Sequence, residues 1–151
     1  MENTPRVQPM FRELTEGEAN DLLDRNHVGR IAYTFRDTVD IRPIHYVRSG
    51  SWLFGRTSAG DKLSTLGHHQ WVAFEVDEIS GPMEWKSVIA RGTFRPLKYE
   101  GSSHDLDLYE RAFEAVRALY PDAFTNNDQL AFRTEIFGIH VDSVSGRSCS
   151  T

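Results

Sequence analysis

Six runs of alternating apolar and polar residues, separated by short turns, limit what this chain can fold into. The first run, VGRIAYTF, places Ile31, Tyr33 and Phe35 on one side of an extended strand. The turn RDT leads to VDIRPIHYV, and the turn RSGS leads on to SWLFGR. Turns this short between alternating runs predict an antiparallel meander. Three further runs follow in the order WVAFEVD, WKSVIARGTFRPL and TEIFGIHVDSV.

Helices are predicted at three places around these strands. Thr15 and Glu18 have the spacing of a capping box at the start of a short helix. The segment AGDKLSTLG, which follows the third run, predicts another short helix. Apolar residues recur at helical spacing between Asp105 and Tyr120, and Pro121 ends that helix. The chain is therefore predicted to be mainly β with peripheral helices, built around a six-stranded antiparallel barrel whose closure protects the strand edges.

Length and composition favour a single soluble domain. A chain of 151 residues can bury one hydrophobic core, so we assign residues 1–151 to one domain with residues 1–11 as a flexible N-terminal arm.

The net charge of −5 argues against nucleic acid as a partner, because binding its phosphates needs an excess of positive charge. No apolar run approaches the ~20 residues of a membrane-spanning helix, and the segment MENTPRVQPM lacks the features of a secretory signal. We therefore expect a cytoplasmic protein without membrane contact, and the single Cys149 excludes an intrachain disulfide.

A cluster of cations and hydroxyls in LFGRTSAGDKLSTL is the first candidate for a site. Arg56, Thr57, Ser58 and Lys62 lie within seven positions, together with Gly60. A phosphate monoester carries roughly −1.5 to −2 charges and needs this combination of guanidinium, ammonium, hydroxyl and amide donors. If a helix begins near Ala59, its first amides attract an anion as well. The cluster is interpreted either as a phosphate site or as a solvated turn between strand and helix.

Two other segments suggest contact with a ligand. Pro43 in DIRPIHYV removes a backbone donor from a strand, which is tolerated at an edge or a bulge. The backbone groups of Arg42 and Ile44 then face either a ligand or solvent. In MEWKSV, Trp85 and Ser87 share one strand face, so the indole either packs in the core or flanks a flat aromatic ligand.

Other chemistries find little support in the sequence. The adjacent His68 and His69 point apart on either a helix or a strand, so no metal site is expected. Glu75 and Asp77 can share a strand face, but acid–base catalysis by paired carboxylates also requires burial. The chain has no nucleophile elbow, no dinucleotide fingerprint and no Walker loop, which argues against hydrolases and nucleoside triphosphatases.

Taken in order, the helix LTEGEANDLL and the strands that follow it resemble the pyridoxamine 5′-phosphate oxidase-like flavoproteins. The resemblance covers roughly residues 12–97, and the later VDSVSGR also fits the branch of nitroimidazole-resistance-type, flavin-nucleotide-binding proteins. It implies a split β-barrel and a homodimer that binds FMN in grooves where the two subunits meet. It also implies that the cofactor contacts come from three segments of this chain. They are Arg42, Pro43 and Ile44 beside the ring, Arg56, Thr57, Ser58, Lys62 and Leu63 around the phosphate, and Trp85, Lys86 and Ser87 from the other subunit.

The resemblance has two departures. The chain ends in GRSCST and lacks the C-terminal segment that binds substrate in true pyridoxamine-phosphate oxidases. Gly55 and Arg56 replace the aromatic residue often found just before the phosphate-binding threonine, a change that could favour a larger deazaflavin.

Three functions remain open from the sequence. The resemblance implies an FMN-dependent oxidoreductase that passes electrons from a reduced nicotinamide to a small-molecule acceptor. A non-catalytic flavin carrier or sensor is compatible with the same fold, because function depends on the site rather than on the fold. A deazaflavin- or haem-binding protein is the third.

Overall fold

The computed structural model describes residues 6–67 and 70–151. This part of the chain contains eight strands, two α-helices and one 3-10 turn. The helices are α1 (Glu16–Arg25) and α2 (Ser103–Leu119), and the 3-10 turn is Leu63–Thr65. The strands are β1 (Met10–Glu13), β2 (Val28–Phe35), β3 (Thr38–His45), β4 (Val47–Ser49), β5 (Trp52–Thr57), β6 (Gln70–Gly81), β7 (Glu84–Leu97) and β8 (Glu135–Ser150).

The strands form one antiparallel sheet in the order β3-β2-β6-β7-β8-β5-β4, with β1 paired to β8. The predicted class, mainly β with peripheral helices, is confirmed, but there are eight strands rather than six. One added strand is β1, whose first residues Met10 and Phe11 fall in the segment expected to be a flexible arm. The other is β4, which separates from the second predicted strand at Tyr46.

The separation at Tyr46 turns the predicted meander into a split barrel. β3 pairs with β2 at one end of the sheet, whereas β4 pairs with β5 at the other end. The chain therefore crosses from one end to the other at Tyr46, which is buried against Phe74 with ring centroids 4.8 Å apart. Within the described residues β3 and β5 form no ladder with each other, so hydrogen bonding does not close the barrel.

Helix α1 closes one side of the barrel, and its start confirms the predicted capping box. The hydroxyl of Thr15 accepts a hydrogen bond from the Glu18 amide at 3.2 Å, and the Glu18 carboxylate accepts one from the Thr15 amide at 3.1 Å. An N-cap of this kind contributes about 1 kcal/mol. The helix buries Ala19, Leu22 and Leu23 in the main core.

The long strand β7 carries the centre of the core. Val88, Ala90 and Phe94 are buried, as their alternation predicts. Gly92 lies in the same row, next to an irregularity in the pairing with β8. A Cβ atom at this position would collide with the backbone carbonyl of His140, so only glycine allows the two strands to approach this closely.

Helix α2 packs on β5 and β8 and forms a second, smaller core. Its buried residues are Leu108, Ala112 and Val116, spaced four apart, and Pro121 follows its end as predicted. No helix in the described ranges is long and apolar enough to span a membrane.

An irregular segment, residues 121–134, joins α2 to β8; we call it the strap. The Arg56 guanidinium on β5 holds it through two hydrogen bonds to the Asp128 carboxylate, at 2.7 and 3.1 Å. The same carboxylate accepts hydrogen bonds from the Phe124 and Leu130 amides, both at 2.9 Å. The Arg56 hydrogen bonds, supported by these amides, hold the pKa of Asp128 well below its usual range. The strap is therefore fixed to the barrel by one buried ion pair.

Replacing Asp128 by asparagine is expected to loosen the strap. The neutral amide is a weaker acceptor for Arg56 and cannot accept all four hydrogen bonds as well as the carboxylate does. The Phe124 and Leu130 amides should then exchange about tenfold faster in hydrogen-exchange measurements. Asp122→Asn, an exposed change elsewhere in the strap, is the matched control. Equal exchange rates in both variants would contradict the anchoring role of Asp128.

The ion pair between Arg25 at the end of α1 and Glu78 on β6 predicts a pH dependence. Hydrogen bonds from Arg25 at 2.7 and 2.8 Å, joined by one from Asn26, lower the pKa of Glu78 from 4.5 to about 2. A lowered carboxyl pKa stabilises the fold above pH 4.5, and this stabilisation is lost as the pH falls towards 2.

The variant Glu78→Gln should not show this loss of folding stability at low pH. Because Arg25 and Glu78 are both partly exposed, we expect the difference to be only about 0.5–1 kcal/mol between pH 4.5 and 2. Urea unfolding at several pH values measures it. Parallel pH profiles for the two proteins would contradict the contribution of Glu78.

Candidate functional site

The site lies where β3 and β5 diverge. On β5, Phe54 pairs with Val47 of β4. The next residue, Gly55, has no ladder partner on this edge of β5, because β3 does not pair with β5. A Cβ atom on Gly55 would lie 2.7 Å from the Phe137 ring and 2.8 Å from the His45 carbonyl oxygen. This close packing explains the glycine, because a side chain at position 55 would force the strands further apart.

A cavity of about 270 Å³, which we call the polar hollow, occupies the gap between these strands. Seven of the eleven predicted cofactor-binding residues line it: Arg42, Pro43, Ile44, Arg56, Thr57, Ser58 and Leu63. The other lining residues are Val28, His45, Asp61, Phe132 and Arg133. The structure therefore brings together the β3 and β5 segments that the sequence assigned to ring and phosphate.

Two arginines of the polar hollow are paired with carboxylates. Arg42 on β3 forms a short ion pair with Asp61, whose carboxylate also accepts a hydrogen bond from the Leu63 amide at 2.9 Å. Burial by itself raises the pKa of Asp61, but these hydrogen bonds outweigh it and keep the pKa below its usual value. Arg56 is bound to Asp128, with 7% of its side chain exposed. Both arginines therefore offer N–H donors with little net charge.

Arg133, from the end of the strap, supplies the positive charge that remains. Across the described ranges no carboxylate lies within 4.0 Å of its guanidinium, and its nearest polar partner is the His45 ring, at 3.5 Å. Sequence reasoning missed Arg133, because it lies outside the regular strands. The one available signal was the length of the connection after Pro121, since long irregular loops in compact domains are often functional.

Lys62 takes a different position from the predicted one. Its ammonium lies 3.1 Å from the Asp40 carboxylate, 5.7 Å from the Phe35 ring centroid, and does not line the polar hollow. The short helix predicted within AGDKLSTLG is confined to the 3-10 turn Leu63–Thr65, and its expected start near Ala59 is wrong. A tight turn with Gly60 at φ 82° precedes it, so no α-helix end points into the polar hollow.

Trp85, Lys86 and Ser87 lie at the start of β7 and do not line the polar hollow of their own chain. Trp85 contacts Phe11 with ring centroids 6.3 Å apart. The Ser87 hydroxyl donates to the Glu75 carboxylate at 2.8 Å. Their contact with a cofactor depends on a second subunit and stays a prediction.

The carboxylates considered for catalysis belong to a different part of the sheet. Arg30 lies between them, 3.6 Å from the Glu75 carboxylate and 3.3 Å from that of Asp77. Burial, and then the neighbouring Asp77, raise the pKa of Glu75. No group of three or more potential metal ligands occurs among residues 6–67 and 70–151. His68 and His69 lie outside the described residues.

A second cavity of about 320 Å³, which we call the apolar cleft, opens between α2, the strap and β5. Its surface is mainly apolar and comes from Val47, Phe54, Val116, Leu119 and Leu130, together with His27, Tyr46, Gly55 and Tyr120. Val28, His45, Arg56 and Arg133 line both the apolar cleft and the polar hollow. The two cavities therefore share one wall.

The fold and sequence are similar to those of known proteins. A FAD-binding protein from Mesorhizobium loti is 25% identical, with 94% of this chain and 99% of that one aligned and a TM-score of 0.69. A FAD-binding protein from Mycobacterium smegmatis is 27% identical, with 90% and 98% aligned and a TM-score of 0.65. An uncharacterized protein of Rhizobium meliloti (strain 1021) is 25% identical over 93 residues, which span 62% of each chain.

A family model described as pyridoxamine 5′-phosphate oxidase matches residues 15–148. The match extends well beyond the segments that carried the resemblance in the sequence, and includes α2, the strap and nearly all of β8. It therefore covers the polar hollow and the apolar cleft as well as the barrel. The chain belongs to the pyridoxamine 5′-phosphate oxidase family, and it has that family's split β-barrel fold.

Proposed function

We propose that the chain binds a flavin nucleotide, with a phosphate in the polar hollow and the ring system along β3. The main support is the donor set between the diverging strands, where Arg133 adds one unbalanced positive charge to the hydroxyls of Thr57 and Ser58. Such a set suits a phosphate, which combines negative charge with several acceptor oxygens. The two FAD-binding neighbours at 25% and 27% identity support a flavin in particular.

The residues of this chain have distinct roles in the proposed complex. Arg133 supplies charge to the phosphate, while Thr57 and Ser58 supply hydroxyl donors. Pro43 lies opposite Arg30 of β2 and belongs to β3, an edge strand of the sheet, where a missing N–H is tolerated. The free edge of β3 beside it offers backbone groups to the polar side of a ring.

A bound flavin supplies hydride and electron transfer, so the protein itself needs to bind, orient and shield the ring. We infer an oxidoreductase that takes electrons from a reduced nicotinamide and passes them to a small molecule. The geometry of the site agrees with a protein that binds and orients the ring while the flavin supplies the chemistry. Asp61 is held as an ion-paired carboxylate and is therefore unsuited to acid–base catalysis.

A flavin carrier or sensor is the second candidate. It is favoured by the ion pairs at this site, because Asp61 and Asp128 are bound to Arg42 and Arg56 and neither carboxylate is left for catalysis. Stopped-flow absorbance distinguishes the two functions. Rapid bleaching of the bound flavin by NADH or NADPH supports the oxidoreductase, and bound flavin that neither nicotinamide reduces supports the carrier.

We also propose that the protein is a homodimer that packs through the outer face of its sheet. Val39, Ile41 and Trp71 on this face are 76%, 64% and 63% exposed, and the cross-strand neighbour of Ile41 is the small Ala32. A contiguous apolar face of this kind is typical of a protein interface. In such a dimer Trp85–Ser87 of the partner can complete each flavin site.

The phosphate role of Arg133 predicts a selective effect on nucleotide binding. Arg133→Ala should weaken FMN about 10- to 100-fold, because a charge-assisted hydrogen bond contributes about 1.5–3 kcal/mol. Riboflavin, which has no phosphate, should change by less than about twofold, and Lys98→Ala removes an exposed positive charge outside both cavities as a control. Flavin fluorescence quenching measures the affinities of the wild type and both variants for FMN and for riboflavin. Equal losses for FMN and riboflavin would contradict a phosphate at Arg133, and a wild type that binds no flavin would reject the function.

The dimer predicts a link between assembly and cofactor affinity. Ile41→Lys places a charge on the outer face and should shift the mass measured by light scattering from two chains to one, because an unpaired charge is costly in a buried interface. Flavin affinity should fall with it, since the residues of the partner are removed. A wild type with the mass of one chain would reject the dimer.

A further inference from the structure

The outer face of the sheet carries a group of charged residues beside its exposed apolar side chains. Glu75 and Asp77 on β6 share the Arg30 guanidinium, which lies 3.6 Å from the first carboxylate and 3.3 Å from the second. The Ser87 hydroxyl donates a hydrogen bond to Glu75 as well. Burial, and then the neighbouring Asp77, raise the pKa of Glu75. Two carboxylates with one cation between them therefore leave this group with excess negative charge in the single chain.

Arg91 on β7 is an exposed cation on the same face. Within residues 6–67 and 70–151, no carboxylate lies within 4.0 Å of its guanidinium. Arg147, another exposed arginine of this face, lies opposite Glu13 of β1 and so has a carboxylate on the neighbouring strand. Arg91 is therefore the cation on this face that a negatively charged partner would balance.

The register between β6 and β7 places Arg91 and Glu75 at opposite corners of a four-residue set. Arg91 lies opposite Ala73, and Glu75 lies opposite Ile89. All four residues face outward, because the residue between the two on each strand is buried in the core. The set therefore has one charged diagonal, Arg91 and Glu75, and one apolar diagonal, Ala73 and Ile89.

We propose that two copies of this chain pack with Arg91 of each subunit against Glu75 of the partner subunit. This inference rests on the homodimer of the proposed function and specifies the register of its interface. A two-fold axis along the apolar diagonal, in the plane between the two faces, exchanges the two corners of the charged diagonal. The contact between opposite charges then occurs twice, as an isologous interface requires. Ile89 of one subunit meets Ile89 of the partner subunit on the axis, and the small Ala73 allows the faces to approach.

The proposed contact supplies the positive charge that the carboxylates lack in the single chain. In the dimer, Glu75 and Asp77 have two guanidinium groups nearby, Arg30 of their own chain and Arg91 of the partner subunit. Complementary charges of this kind specify which surfaces meet and in which register. Ser87, which is hydrogen-bonded to Glu75, belongs to the segment proposed to complete the flavin site of the other subunit. The same contact therefore fixes where that segment lies.

Reversing each charge tests the register. Arg91→Glu and Glu75→Arg should each weaken dimerisation about 100-fold, because both contacts of the dimer then join like charges. An equal mixture of the two variants should regain the mass of two chains, because both contacts then join opposite charges. Native mass spectrometry identifies the mixed dimer, and circular dichroism verifies that each variant is folded. Lys98→Glu, an exposed charge reversal beyond the end of β7, is the matched control and should remain a dimer.

A cross-linking measurement keeps the test independent of the charge reversals. Ile89→Cys lies on the proposed axis, so a short bismaleimide should join the two subunits of this variant. Thr93→Cys lies four residues further along the same face of β7, away from the axis, and should not be joined. The native Cys149 is buried and leaves the reagent to the introduced cysteine.

The outcomes distinguish the register from the dimer itself. A charge-reversal variant that dimerises like wild type, or a mixture of folded variants that keeps the mass of one chain, overturns the register while the dimer stands. Absence of cross-linking at Ile89→Cys, or equal cross-linking at Thr93→Cys, overturns it as well. A wild type with the mass of one chain rejects the dimer and this inference together, and flavin binding by the wild type is measured separately.

Discussion

The separation of β3 from β5, between which the chain crosses at Tyr46, is the constraint on which the rest of the structure depends. The Tyr46 amide donates to the His27 carbonyl at 2.9 Å, and its hydroxyl donates to the Leu23 carbonyl at 2.6 Å. These two bonds tie the crossing segment to the end of α1 and the start of β2. The facing edges of β3 and β5 therefore remain unpaired, and their backbone groups must bind water or a ligand. The candidate site thus follows from the way in which this barrel stays open.

Much of the fold could be predicted because its signals are local. The capping box of Thr15 and Glu18 and the alternation along β7 depend only on neighbouring residues, and both are confirmed. The crossing at Tyr46 left no such signal. Ile44 and Tyr46 both face inward, so the alternation continues through the point where the strand changes its partner. Pairing with a distant strand decides that break, and a local pattern does not contain this information.

The candidate site divides in the same way between local and distant information. The β3 and β5 segments could be identified because each brings several suitable donors together in sequence. The partner of Arg56 could not be identified, because Asp128 lies 72 residues later in a segment without periodicity. The same holds for Arg133, which lines the polar hollow from the end of the strap, next to the start of β8. That Arg56 is already paired with a carboxylate is therefore visible only in the structure, and its contact with a phosphate stays a prediction.

The balance of charge at this site agrees with the proposal that an acidic chain holds an anion and is still stable without one. An unpaired buried guanidinium would be costly, and Asp128 lowers that cost at Arg56, whereas Asp61 balances the charge of the more exposed Arg42. The paired arginines still present directed N–H donors, so they can select a ligand by the geometry of its acceptors. Among the described residues that line the polar hollow, Arg133 is the one cation without a carboxylate partner, and it is half-buried at the edge of the site. The proposed phosphate would satisfy these donors, whereas an extended polyanion would meet the surrounding negative charge of the protein. This balance of charge is the physical reason for proposing a small phosphate ester rather than a nucleic acid as the ligand.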